Sequence, residues 1–509
     1  MIMQAVFRVD SSEKMGFGHV SRCLTLADEL SHYGFQCAFI CQQLSGNGID
    51  LIEHKKYRVH VIDDHSNAID SQTKDAEKTQ SIIRQHYKQV NLFVVDQYNL
   101  DATWERILLD STNTLFVMDD LANRQHDCHF LLDVNIQREA SDYKQLCKPK
   151  TKLLIGSDFT LLRDEFLQQR KLVLEKRKTT SGINQILLSF GATDPTHLTL
   201  DVLAILNTMP CKSRIEIAVS SKCSWLDRFD ASIYKNLTIH MNVDTHNIVQ
   251  LMSDSDLAIG AIGGSTWERA CLGLPCISIT NSDLQTPIAE FLHDHQLIVH
   301  SKLEDLKIDM EPFINFNFYD WYRYSKNNSE LIDGLGCKRV LKGIVASSIK
   351  FESLTLEYAD SLFDWQCQPE ARQYSRNPNP PSYSEHINWL NTSLTNEKRR
   401  MWVIILMGVA VGYVRLDELT DCFEDERKSE LLESETTEEI SILISDVFHG
   451  LGIGKLALSF LQKNMKHETL IATVDDLNTP SIKLFTSNGF KLCAHQTYVF
   501  GRSYQNANH

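Results

Sequence analysis

A histidine set directly behind a glycine-rich loop is the first place in this chain where residue type and spacing suggest chemistry. In FRVDSSEKMGFGHVSRCLTLADEL, Gly16 and Gly18 precede His19, between an apolar strand-like run and an amphipathic helical run starting near His19. Glycine lets the backbone turn tightly and approach a ligand, and the unpaired N–H groups of a helix start attract an anion. An imidazole of ordinary pKa, about 6.5, is mostly neutral at pH 7 and accepts a proton from water or a hydroxyl. His19 is therefore a candidate base. The alternative is a capping or packing histidine, and the glycines following a strand favour the base.

Two further glycine turns suit phosphate. LAIGAIGGSTWERACLGLPCISI puts Gly263 and Gly264 after a strand and Ser265 and Thr266 at a helix opening, an arrangement that cradles a diphosphate. Glu268, read as lying in the first turn, either accepts from ribose hydroxyls or complements the helix dipole. In EEISILISDVFHGLGIGKLALSFL, Gly450, Gly452 and Gly454 let successive N–H groups converge on a pyrophosphate. Such a turn alone is as often a flexible loop; the downstream IATVDDLNTPSIKLFTSNGF tips the balance towards binding.

Positioning these loops requires several compact units, which a 509-residue chain, 43% apolar and 23% charged, can supply. Apolar runs alternate with amphipathic segments as in parallel α/β sheets. The first series of expected strands is Ala5–Val9, Cys37–Cys41, Val59–Ile62, Leu92–Asp96 and Leu115–Met118. After a basic, polar linker at Arg170–Ser181 comes a second series: Gln185–Phe190, Arg214–Val219, Leu237–His240, Leu257–Gly260 and Cys276–Ile279. From about Phe351 an aromatic-rich α+β texture begins, with strands Arg400–Leu406 and Val409–Leu416. The expected units are 1–165, 166–346 and 349–509, each of a size that commonly folds alone. The run CFEDERKSELLESETTEE reads as a solvated loop.

A net charge of −15 disfavours nucleic-acid or membrane-surface partners. Thirteen cysteines without paired spacing suggest neither a disulfide framework nor a metal site. The start MIMQAVFRVD lacks a signal-peptide pattern, and Met401–Val414 is too short to span a bilayer, so a cytoplasmic protein is expected.

The signature FRVD with GxGHxxRCLxLA, together with VVDQYNLD, DDLANRQHDC, LLRDEF, SFGATDP and IDGLGCKRV, resembles the pseudaminic-acid-pathway UDP-sugar hydrolase family over roughly residues 3–346. That resemblance implies two Rossmann-like domains facing a cleft in a glycosyltransferase-B-like arrangement. It implies metal-free hydrolysis of UDP-2,4-diacetamido-2,4,6-trideoxy-β-L-altropyranose, with His19 as general base and Gly16 and Gly18 shaping its loop. Glu268 and Asn281 match UDP-holding positions, and Gln285 is their neighbour. Since UDP leaves as a stabilised anion, a base and diphosphate-binding amides suffice.

Residues from about Phe351 to Phe500 resemble the GNAT superfamily of N-acetyltransferases, through the turn His449-Gly450-Leu451-Gly452-Ile453-Gly454. DWQCQPEARQYSRNPNPPSYSEHINWL is similar to the start of nucleotide-amino-sugar acetyltransferases of the same pathway. The resemblance implies that acetyl-CoA is bound by the turn through Lys455, with Asn478 and Ser481 near its pantetheine arm. It also implies that acetylation of a UDP-4-amino sugar precedes hydrolysis. Two departures stand out: His449 replaces the usual Arg or Gln, and Phe485 stands where many relatives carry a thiol-protonating Tyr. Tyr498 is either a substitute donor or a core residue, and Glu439 either the base for the sugar ammonium or an exposed strand carboxylate. The alternatives are an inverting UDP-sugar glycosyltransferase with an accessory acetyltransferase, and a nucleotide-sugar sensor. Intact His19 and Glu268 argue against the sensor, which Phe485 keeps open for the acetyltransferase half.

Overall fold

The computed structural model describes residues 3–13, 15–63, 71–244, 247–280, 285–375, 377–419, 437–464 and 469–501. The first sheet is all parallel, with strands β1 (Met3–Val9), β2 (Phe35–Gln42), β3 (Arg58–Ile62), β4 (Leu92–Asp96), β5 (Thr114–Met118), β6 (Phe130–Asp133) and β7 (Lys152–Ile155). Its order, β3-β2-β1-β4-β5-β6-β7, reverses direction between β1 and β4. The second sheet repeats the plan with β8 (Gln185–Ser189), β9 (Arg214–Val219), β10 (Thr238–Val243), β11 (Leu257–Gly260), β12 (Cys276–Ile279) and β13 (Val299–Ser301), ordered β10-β9-β8-β11-β12-β13. These are doubly wound Rossmann-like sheets, whose ligands bind beyond the strand ends at the point of reversal. Gly260 allows that crossing to be tight, since a Cβ there would lie 2.3 Å from the Ser189 carbonyl oxygen of the adjacent strand.

The third sheet is mixed: β14 (Ile349–Ser353), β15 (Arg399–Leu406), β16 (Val409–Glu418), β17 (Thr437–Ile444), β18 (Thr469–Thr473), β19 (Lys491–Ala494) and β20 (Thr497–Phe500), in the order β14-β15-β16-β17-β18-β20-β19. The apolar stretch from Met401 is the expected hairpin, turning at Met407 and Gly408, both with positive φ.

Several expectations are corrected. Arg170–Ser181 is no linker: a helix spans Asp164–Arg177, burying Phe166 and Val173. Its basic residues serve the second unit's backbone, Arg170 donating to the Cys271 and Ser329 carbonyls and buried Arg177 to those of Met252, Ser255 and Leu272. Strands β6, β7 and β13, absent from the sequence expectation, are only three or four residues long. The carboxylate-rich run ends inside β17, where Glu438 is buried against Arg400; residues 420–436 lie outside the described set.

The helix Gly336–Ser348 runs straight into β14, and it packs on the Gly18–His32 helix, on β7 and on the Ile453–Asn464 helix. One apolar cluster thereby joins Leu30 and Phe35 of the first unit, Val340 to Val345 of this helix, and Leu406, Val409, Leu451 and Ile453 of the third unit. Asn91, just before β4, donates to the Met407 carbonyl at 2.9 Å, and a Cβ on Gly408 would collide with Asn113 and Gln89. The third unit therefore docks at the strand-start end of the first sheet, away from the strand ends that face the cleft.

Candidate functional site

A cleft of about 1260 Å³ opens between the first two sheets, at both reversal points. On one wall, β1 feeds a loop in which Gly16 takes φ +71° and donates to the Ser12 carbonyl at 2.8 Å. The helix begins at Gly18, one residue earlier than expected, and Phe17 gives it no side-chain cap, so its first N–H groups face the cleft with His19.

His19 is oriented from behind. Its Nδ1 lies 2.7 Å from Asp96 Oδ1 at the end of β4; the side chains are 12% and 0% exposed. The carboxylate can only accept, so Nδ1 carries the hydrogen, and in the neutral ring Nε2 is then the acceptor. Arg22, one helical turn on, holds the same carboxylate with two bonds of 2.6 Å and reaches Asp120 at 2.7 Å. Burial alone would raise the Asp96 carboxyl; the Arg22 charge, then His19, hold it well below the usual carboxylate range. Tyr98 sets its ring edge against His19, with centroids 4.6 Å apart, and donates to Asp120 at 2.6 Å. Burial, then Asp120, push the Tyr98 phenol well above its usual range, so it stays protonated. Asp96, Arg22, Tyr98 and Asp120 were not singled out from sequence. The signal was there in VVDQYNLD, whose aspartate ends an apolar strand beside the reversal point.

The opposite wall carries the second glycine turn. Gly263 donates to Thr266 Oγ1 at 3.1 Å, and the helix Gly264–Cys271 starts with both glycines uncrowded by protein atoms. Buried Arg269 braces the turn by donating to the Ala261 carbonyl at 2.9 Å and to the Ser265 and Thr266 hydroxyls. Glu268 lies in the second helical turn, not the first, which removes the dipole-complementing alternative. Its side chain, 22% exposed, receives a 3.4 Å contact from Arg163, and burial raises its carboxyl. Gln285 lines the same cleft and donates to the Ile262 carbonyl at 3.1 Å; Asn281 lies outside the described residues.

The third sheet holds a separate arrangement. β17 pairs with β18 only over Thr437–Glu439, so from Ile440 onward the two strands part. Glu439 stands where they separate and accepts from Thr473 Oγ1 at 2.8 Å. Beyond β17, Gly450 and Gly452 take φ +84° and +82°, the left-handed region that glycine favours. A Cβ on Gly454 would lie 3.0 Å from Leu484, so glycine there lets the Ile453–Asn464 helix approach the Thr479–Ser487 helix. Leu451 and Ile453 are buried and can offer a ligand only backbone, whereas Lys455 is exposed. His449 Nε2 lies 3.0 Å from the Ile444 carbonyl, to which it donates. Asn478 caps the Thr479–Ser487 helix, accepting from Ser481 N at 3.1 Å. Phe485 packs against Phe490 in a core that also contains Tyr498, which settles the tyrosine as a core residue.

Residues 349–491 match the family model described as an acetyltransferase (GNAT) domain. An uncharacterized protein of Methanocaldococcus jannaschii is 24% identical over 96% of this chain and 97% of its own length. The UDP-2,4-diacetamido-2,4,6-trideoxy-beta-L-altropyranose hydrolase of Campylobacter jejuni is 28% identical over 50% of this chain and 84% of that protein. The spore coat polysaccharide biosynthesis protein SpsG of Bacillus subtilis is 26% identical over 31% of this chain and 46% of its own. The chain thus joins two Rossmann-like domains, with a cleft between their sheets, to a GNAT-type acetyltransferase domain. Among the described residues, no helix is long and apolar enough to cross a membrane, and no three His, Cys, Asp or Glu side chains are grouped to hold a metal ion.

Proposed function

We propose that this chain performs two successive steps on one nucleotide sugar. In the cleft it hydrolyses UDP-2,4-diacetamido-2,4,6-trideoxy-β-L-altropyranose, and in the third domain it first acetylates the 4-amino group of the precursor UDP-amino sugar with acetyl-CoA. The observation that carries the first step is His19 lining the cleft with Nδ1 tied to Asp96, facing a second wall with an open helix start at Gly263–Thr266. His19 takes a proton from water as the water oxygen bonds to the anomeric carbon. The bond from that carbon to the diphosphate oxygen breaks, and UDP departs with the electron pair, its charge met by the amides of the turn. Glu268 and Gln285 hold the nucleoside end, and attack opposite the leaving group inverts the anomeric centre.

For acetylation, the left-handed glycine turn and the parted strands fit a pyrophosphate and an extended pantetheine arm. Acetyl-CoA supplies the acetyl group. Glu439, at the parting, takes the proton from the sugar ammonium so that the amine can attack. With Phe485 and Tyr498 in the core, solvent protonates the departing thiolate. The units 1–165, 166–346 and 349–509 are retained as the functional division, the helix Gly336–Ser348 supporting the first and third.

The test is an NMR time course with UDP-4-amino-4,6-dideoxy-β-L-AltNAc and acetyl-CoA. Acetylated nucleotide should appear first, then free diacetamido sugar and UDP; hydrolysis of the unacetylated nucleotide first would reject the order. Adding candidate acceptor alcohols separates hydrolysis from glycosyl transfer, which would leave a glycoside detectable by mass spectrometry. Gly452→Asp should weaken acetyl-CoA binding by roughly tenfold or more, because an aspartate at φ +82° is strained and its charge repels a pyrophosphate. UDP-sugar hydrolysis should stay within about twofold of the parent rate. Unchanged CoA affinity by calorimetry would move the cofactor site elsewhere.

A further inference from the structure

Three cationic side chains line the cleft among the described residues, and two are already committed. Arg22 is held by Asp96 and Asp120 at 2.6 and 2.7 Å, and Arg163 lies between Glu165 and Glu268 at 3.5 and 3.4 Å. The third, Lys222, sits on the loop after β9 and extends across the cleft to the first domain. There its ammonium stands 3.7 Å from the Asp50 carboxylate and 5.3 Å from the Phe17 ring centroid. Both ends of that ion pair are open to solvent, Lys222 at 50% and Asp50 at 66% exposure, so the contact is weak and easily exchanged.

The loop beneath it is fixed. Ser221 N donates to Asp244 at 2.9 Å, Lys222 N to Ser220 Oγ at 3.0 Å, and Ser220 N to the Ala192 carbonyl at 2.8 Å. Only the long side chain has freedom to move. β9 is two strands from β11 in the sheet, so Lys222 and the Gly263–Thr266 turn project from the same sheet end into the same cleft. A nucleoside diphosphate seated on that turn would bring more negative charge than Asp50 carries, into a place more sheltered from water.

Building on the proposed UDP-sugar chemistry, we infer that Lys222 is a diphosphate-binding residue, held by Asp50 and Phe17 and transferred to the nucleotide's diphosphate when it binds. In that position it neutralises charge on the departing UDP. Three full-length variants test this by calorimetry with UDP. Lys222→Met should bind UDP roughly tenfold more weakly. Lys222→Arg should recover most of that loss. Asp50→Asn, which removes only the parking partner, should bind as tightly as the parent or a few-fold tighter. Undiminished UDP affinity in Lys222→Met overturns the assignment. Equal losses in Lys222→Met and Asp50→Asn also overturn it, because they make the pair a closure latch and not a ligand contact. If the unmodified chain binds no UDP, the proposed function of the cleft fails and this inference falls with it.

Discussion

His19→Ala is expected to lower release of free sugar from the acetylated nucleotide by roughly 100- to 10,000-fold, the range a positioned general base contributes, with UDP affinity almost unchanged. The two effects separate because the groups come from different domains. His19 stands on the helix after β1, whereas the proposed UDP contacts belong to the turn after β11 and to Glu268. The wall behind His19 should survive the change, because Asp96 keeps its bidentate partner Arg22 and Asp120 keeps Tyr98. In the coupled reaction the variant should accumulate acetylated nucleotide, since the third domain is untouched. Asp96→Asn is a less clean probe: it disturbs the His19 tautomer and leaves the partly buried Arg22 guanidinium short of counter-charge at the same time. Hydrolysis by His19→Ala at the parent rate would remove His19 from the chemistry and make its bond to Asp96 structural.

How far sequence alone reached depended on how strongly each feature is imposed locally. Strands β4 and β11 are legible to the residue because they are unbroken apolar runs ended by Asp96 and Gly260, and β9 and β12 because the apolar run persists around single polar residues, Glu216 and Ser278. β6, β7 and β13 were not, because three or four residues leave too little pattern to distinguish from loop. The Asp164–Arg177 helix was hidden for a different reason. Its lysines and arginines read as solvated, but Arg170 and Arg177 satisfy carbonyl groups across the second unit, a use of charge visible only in three dimensions. The wall that carries His19 shows the same divide. The glycine loop and His19 form a local motif, whereas Asp96 and Asp120 reach it from chain positions 77 and 101 residues away, through the strand order.

Units of this size commonly fold alone, but residues 1–346 and 349–509 share a core, and the separated pieces are expected to lose solubility and acetyl-CoA binding together. The cut falls at the end of the Gly336–Ser348 helix, which lies between the helix bearing His19 and the helix that follows the glycine turn. On the third domain it uncovers a surface to which Leu406, Val409, Leu451 and Ile453 contribute, all buried in the intact chain. Exposing even three such side chains costs roughly 5–9 kcal/mol, which rivals the 5–15 kcal/mol that typically holds an entire domain folded. Leu451 and Ile453 are buried beside the glycines of the turn, so the loss of their packing should reach the proposed acetyl-CoA site directly. Including the helix, by starting the fragment at residue 333, should restore folding in part, because the helix brings Val340, Leu341, Ile344 and Val345 to cover that surface. A fragment 349–509 that is monomeric, folded by circular dichroism and as tight for acetyl-CoA as the whole chain would show the shared core to be dispensable. The fusion would then serve only to keep two activities at equal abundance, since docking at the strand-start end of the first sheet holds the acetyltransferase away from the mouth of the cleft.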